Sequence, residues 1–166
     1  GATTWKPKYV VDKINEYYTK YTANAHRGDY DISLKVDNEY ENARDLVKEF
    51  INAKTRQEIV FTSGTTNSLN MIVDGFFRNH LEPGDEVIIT ESEHASNILP
   101  WYRLAKELGI IVKHCPLDDN HYVTLNNLKS IVTPNTKVIS LAMITNVIGD
   151  LRPIKEICEF AHQNNI

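Results

Sequence analysis

A chain of 166 residues with 42% apolar and 24% charged residues has enough apolar material for one substantial core, which excludes a disordered polymer. Eighteen basic against twenty-two acidic residues, a formal charge of -4, leave no basic stripe to follow a phosphate backbone, so nucleic acid is not an expected partner. Two unrelated cysteines and no apolar run near the roughly 18 residues that span a bilayer exclude a disulfide framework and a membrane helix, and a cytoplasmic protein is expected.

From Lys6 to Tyr21, the residues Tyr9, Val10, Ile14, Tyr17, Tyr18 and Tyr21 recur at threes and fours, which predicts an amphipathic helix with Pro7 in its first turn. A polar break, ANAHRGDYD, precedes a second helical pattern from about Ser33 to Ala53. Tyr40, Ala43, Leu46, Val47, Phe50 and Ile51 share one face of it, and Ser33 is placed to cap it.

The rhythm then changes. EIVFT, EVIIT, IIVKHCPL and KVISLAM are short β-branched apolar runs separated by helical segments, the pattern of a βαβ series. The punctuation agrees: Pro83-Gly84-Asp85 turns into the second strand, Gly109 ends the helix before the third, and Pro134-Asn135 precedes the fourth. Strands that read apolar throughout are buried on both faces, so the expected fold is a three-layer α/β/α sandwich around a mostly parallel sheet. The expected division is an N-terminal helical segment, residues 1–57, and an α/β portion, residues 58–166. A last helix, Pro153 to about Gln163, is followed by Asn164-Asn165 and Ile166 where a further strand would begin, so the chain reads as cut in mid-domain.

Ligands of open α/β sheets bind beyond the carboxyl ends of the strands, and three segments sit there. Ser63-Gly64-Thr65-Thr66 joins the first strand to a helical pattern, so Gly64 can make the turn while the amides of Thr65 and Thr66 open a helix N-terminus suited to an anion. The other account of Thr65 is a simple N-cap. Neither a Walker loop nor a dinucleotide fingerprint is present. His94, in TESEHASNILPW after the second strand, is either a group that touches a ligand or a histidine at a helix start paired with Glu91 or Glu93. Asn146, after the fourth strand, can donate to a ligand oxygen or form a turn ahead of Gly149. His26-Arg27-Gly28 lies in the polar loop between the first two helices and can reach an anion or stay solvated. His80, His114, His121 and His162 show no metal-ligand spacing, so no metal site is expected, and Cys115 and Cys158 both read as core thiols.

Taken in order, GATTWKP, HRG, FTSGTTNSLN, PGDEVIITESEHASNILPW and TNVIGDLRPIKEI resemble the class V branch of the pyridoxal-phosphate enzymes of aminotransferase fold type I. Within it they are most similar to cysteine desulfurases, in the branch with the Suf-type and selenocysteine lyase-like proteins. The resemblance covers essentially the whole chain, and E-x-E-H-x-x-N-I-x-P-W is its most specific string. It implies that the α/β portion is the N-terminal part of the large domain and that pyridoxal 5'-phosphate is the cofactor. Thr65 and Thr66 then cradle the 5'-phosphate, His94 stacks on the ring and moves protons, and Asn146 lies near the 3'-oxygen. His26 and Arg27 resemble a segment that reaches a neighbouring active site in a homodimer.

The implied reaction takes sulfur from L-cysteine, leaves L-alanine, and passes the sulfur through an enzyme persulfide to an acceptor protein, for iron-sulfur clusters or another use. The Schiff-base lysine, the pyridine-pairing Asp, the carboxylate-binding Arg and the nucleophilic cysteine fall beyond Ile166 in the family pattern, so the 166 residues alone are expected to be inactive. Ala95 stands where many relatives have a second histidine. Other readings are another class V aminotransferase or a selenocysteine lyase, and a non-catalytic phosphate-ligand or scaffold fragment.

Overall fold

The computed structural model describes residues 3–166; Gly1 and Ala2, which open the GATTWKP string, lie outside the described residues. Two compact units are formed, Gly1–Phe61 and Thr62–Ile166.

In the first unit, α1 spans Lys8–Lys20, and the carbonyl of Pro7 accepts the amides of Val10 and Val11. The next helix, α2, spans Asp31–Phe50 and begins earlier than expected. Tyr30, not Ser33, is its N-cap residue. Ser33 lies inside the first turn, fully buried, and its hydroxyl donates to Asn24 O at 3.3 Å, so it anchors the preceding loop instead of capping an amide. The helix stops short of Ala53 because Asn52 takes φ of 57° and the Ala53 amide returns to Lys48 O, a left-handed termination that Asn tolerates.

The EIVFT segment is not a strand. Its Glu58 closes a 3-10 turn, Arg56–Glu58, and the residues after it pair with no strand among the described residues. A β-branched apolar run specifies extended backbone, but a strand also needs a neighbour to receive its hydrogen bonds.

The second unit contains the sheet. β1 (Glu86–Ile89), β2 (Ile111–His114) and β3 (Thr136–Ile139) are arranged β2-β1-β3, and both pairings are parallel. Helix α3 spans Thr65–Gly75, α4 Ala95–Leu108, α5 Leu125–Ile131 and α6 Ile154–Gln163. Because β1 is central, its side chains alternate between two buried faces. Val87 and Ile89 join Val73 of α3 and Trp101 and Leu104 of α4 in one cluster; Ile88 joins Leu128 of α5 and Ile157 of α6 in the other. These are the two interfaces of a three-layer α/β/α sandwich. Gly109 closes α4 with φ of 79°, where a glycine carries no Cβ penalty.

The two cysteines separate. Cys115 follows β2 and is buried, as expected; Cys158 is exposed, against expectation. Helix α6 buries Ile157 and Ala161, an i, i+4 pair, and Cys158 falls off that stripe. Among the described residues, no helix is long and apolar enough to cross a membrane.

Candidate functional site

Helix α3 starts at Thr65 from an N-cap glycine that provides no side-chain cap. Gly64 has φ of 154° and ψ of 170°, a conformation that L side chains rarely adopt, and no atom lies within 4 Å of where its Cβ would stand. The first amide bonded back within the helix is that of Ser68, to Gly64 O at 3.0 Å. The amides of Thr65, Thr66 and Asn67 therefore have no intrahelical acceptor and add to the positive end of the helix dipole. Thr62 Oγ1, 2.7 Å from Ser68 Oγ, and the bond from Gly64 N to Thr62 Oγ1 at 3.4 Å hold the incoming chain.

A cavity of about 790 Å³ opens over this terminus, lined by Ser63, Gly64, Thr65, Thr66, His94 and Ser96 together with Asn67 and Asn70. Ser63-Gly64-Thr65-Thr66 and His94 are thus brought together, although the SGTT segment leaves an unpaired extended run and not a strand of the sheet. Thr65, Thr66 and His94 are all exposed.

His94 is the N-cap of α4. Its Nδ1 accepts the Ser96 amide at 3.1 Å and lies 2.7 Å from Ser96 Oγ. Neither Glu91 nor Glu93 pairs with it, which replaces the carboxylate partnership considered from the sequence. An amide must donate, so Nδ1 is the acceptor and the proton of the neutral ring resides on Nε2.

Glu93 turns inward instead. Its carboxylate ion-pairs with the Arg152 guanidinium, both side chains being wholly buried. It also accepts Ala142 N at 3.1 and 3.0 Å, Asn97 Nδ2 at 2.9 Å and Thr90 Oγ1 at 3.2 Å. Arg152 further donates to Ala142 O at 3.1 Å, Thr90 Oγ1 at 2.9 Å and Ser92 Oγ at 2.8 Å, while Ser140 Oγ donates to Asn97 Oδ1 at 2.6 Å. From the sequence, Glu93 is named only as a partner for His94, and Asn97 and Arg152 are given no role. The available signal was one acid and one base at the edges of buried segments, in TESEH and DLRP, too far apart to pair by spacing.

Asn146 is exposed near the tip of a tight loop closed by Thr145 N to Asp150 O at 3.1 Å, Asp150 N to Thr145 Oγ1 at 3.0 Å and Gly149 with φ of 77°. It is not among the residues lining the cavity above α3. His26 and Arg27 belong to the first unit. There the His26 amide donates to Asp37 Oδ1, and the His26 ring lies 3.4 Å from Glu41. Arg27 helps line an open groove between α1 and α2. Burial, with a small opposing influence from Arg152, pushes the Cys115 thiol up to about 11. Among the described residues, no group of three or more His, Cys, Asp or Glu is placed to hold a metal ion.

A parallel α/β/α sandwich whose open helix N-terminus and histidine share one cavity has the geometry to receive an anion, and the fold matches that of the fold type I pyridoxal-phosphate enzymes. The apo structure of a cysteine desulfurase from Thermococcus onnurineus NA1 superposes with a TM-score of 0.91 at 34% identity, over 98% of this chain and 40% of that one. The cysteine desulfurase CsdA from Escherichia coli gives a TM-score of 0.88 at 32% identity, over 99% of this chain and 41% of its own. The family model for aminotransferase class-V matches residues 1–166, and the chain belongs to that family. In sequence it is 36% identical over 164 residues to a probable cysteine desulfurase of Halalkalibacterium halodurans, covering 99% of this chain and 40% of the relative. It is also 36% identical over 163 residues to a cysteine desulfurase of Synechococcus elongatus, covering 98% of this chain and 26% of the relative. The chain therefore spans well under half the length of these relatives.

Proposed function

We propose that this chain forms part of the cofactor domain of a pyridoxal-phosphate-dependent cysteine desulfurase acting on L-cysteine. The observation that carries the reading is the cavity shared by the uncapped α3 N-terminus and His94. Its residues fit the cofactor: three free amides and two threonine hydroxyls suit a phosphate dianion, and an exposed imidazole suits an aromatic ring. The names of the relatives supply the substrate and the reaction.

In this reading Thr65 and Thr66 bind the phosphate, and the α3 dipole favours its charge. His94 keeps Nδ1 on Ser96 and offers its ring and Nε2 to the ligand, where the imidazole can hold or move a proton. Asn146 orients the ligand at its 3'-oxygen. Pyridoxal phosphate, when bound, supplies an electron sink for the bond to be broken at the substrate. The sulfur-accepting cysteine is assigned to neither thiol of this chain; Cys115 is buried and its thiol raised. The protein functions as a cytoplasmic homodimer in which His26 and Arg27 serve the neighbouring site, and the sulfur goes to an acceptor protein for iron-sulfur cluster assembly.

Titration with pyridoxal phosphate, with inorganic phosphate as competitor, tests the cradle. A Thr65→Ala/Thr66→Ala double variant should weaken binding at least tenfold, and unchanged affinity sinks the phosphate assignment. In the full-length protein with an added dithiol to reduce the persulfide, L-cysteine should give equal amounts of alanine and sulfide; no alanine sinks the desulfurase assignment.

A further inference from the structure

His94, just ahead of α4, and Asn146 stand on loops, and loops hold a ligand-binding side chain in place only if something fixes them. Two loops leave the carboxyl end of the sheet here, one after β1 with His94 and one after β3 with Asn146. The buried contacts between them converge on a single ion pair.

On the β1 side, the Glu93–Arg152 pair engages Thr90, Ser92 and Asn97. On the β3 side, it engages the amide and the carbonyl of Ala142, while Asn97 takes up Ser140. His94 is therefore flanked at positions 92, 93 and 97 by side chains bound into one network. The Arg152 amide also donates to Met143 O at 3.0 Å, closing the base of the loop that carries Asn146. Nothing in this network faces the cavity: Glu93, Asn97 and Arg152 are buried, and none lines it.

Stability alone is a weak reason for such a pair, since two buried charges lose in desolvation much of what they gain in attraction. A fixed geometry is a stronger one, because guanidinium and carboxylate accept partners only in defined directions.

We propose that the Glu93–Arg152 pair is the positioning element of the site, locking the β1 and β3 loops together so that His94 and Asn146 are held in one arrangement. The inference rests on the reading of the cavity as a pyridoxal-phosphate site, and its structural half can be measured without the ligand.

The test uses the full-length protein with Arg152→Met, Arg152→Lys and the Glu93→Gln/Arg152→Met double substitution, which removes both charges of the pair and leaves Asp150, 3.5 Å from Arg152 Nε, as the buried carboxylate beside it. Amide hydrogen exchange is followed in peptides covering residues 90–97 and 140–152, with α5 as the control. The expected result is exchange at least tenfold faster in both segments together, less than twofold change in α5, and pyridoxal phosphate binding weakened at least tenfold. Arg152→Lys, which keeps the charge but loses the fork, should fall between wild type and Arg152→Met. Exchange that rises equally in α5 marks a merely structural pair and overturns the proposal, as does a folded double variant with both segments unchanged. If Arg152→Met does not fold, the double variant and Arg152→Lys decide by the same criteria. Failure of the unsubstituted protein to bind pyridoxal phosphate overturns the functional reading, while the exchange result still decides whether the pair positions the loops.

Discussion

His94 Nδ1 accepts from the Ser96 backbone amide at 3.1 Å and lies 2.7 Å from the Ser96 hydroxyl, so one ring nitrogen caps α4 while the ring lines the cavity. The two tasks are separable by substitution. His94→Asn keeps a capping acceptor and should hold thermal stability near wild type, whereas His94→Ala should cost about 1 kcal/mol, a typical loss for an N-cap. Both remove the ring and should weaken pyridoxal phosphate binding alike. Equal destabilisation by Asn and Ala would contradict the cap, and wild-type affinity in His94→Asn would contradict the ring contact.

The thiols should differ sharply in reactivity. With its thiol near 11, Cys115 at pH 8 is about one part in a thousand thiolate, and its side chain is shielded as well. Cys158 is exposed on α6. In the native protein a disulfide reagent should modify Cys158 quickly and Cys115 only after denaturation. Modification mapped by peptide mass spectrometry checks this, and fast labelling of Cys115 would mean that the loop after β2 opens.

Much of this fold is legible in the sequence because its signals are local. EVIIT and Gly109 specify a buried strand and a left-handed helix stop within a few residues, and both form as read. EIVFT fails because strand identity depends on a neighbour that a local pattern does not show. Ser33 fails because its hydroxyl is claimed by Asn24 across a loop, a contact that helix-cap statistics do not contain. At the site, SGTT and His94 are readable as a turn and a histidine ahead of helices, and the cavity joins them. The network beneath is not readable, because Glu93 and Arg152 meet only once the sheet brings two distant loops together.

Burial along α4 predicts an equally sharp contrast. Leu104 is fully buried between α3 and the sheet, whereas Leu99, five positions earlier on the same helix, is 62% exposed. Leu104→Ala should cost about 3 kcal/mol, within the range of large-to-small core changes. Leu99→Ala should stay within about 0.5 kcal/mol. Denaturant midpoints at constant slope measure both, and similar values for the two would contradict the layer assignment of α4.

Glu86 opens β1 at the end of the strand opposite His94 and should govern acid stability without touching the site. Its burial acts to raise the carboxyl, but hydrogen bonds from Thr133 and Thr136, each 2.8 Å, and from Lys113 at 3.1 Å outweigh this and hold it below its ordinary 4.5. A depressed acid stabilises the fold when ionised in both states, so its contribution is complete above 4.5 and disappears as pH falls through the lower folded value. Glu86→Gln removes this titration: the variant should be less stable at pH 7, by about 1–3 kcal/mol for the charged hydrogen bonds lost, and should lose less further stability below pH 4.5 than wild type does. Because the substitution lies at the amino end of the sheet, pyridoxal phosphate affinity at pH 7 should not change. Parallel stability curves for the two proteins below pH 4.5 would show that another carboxylate controls the acid limb.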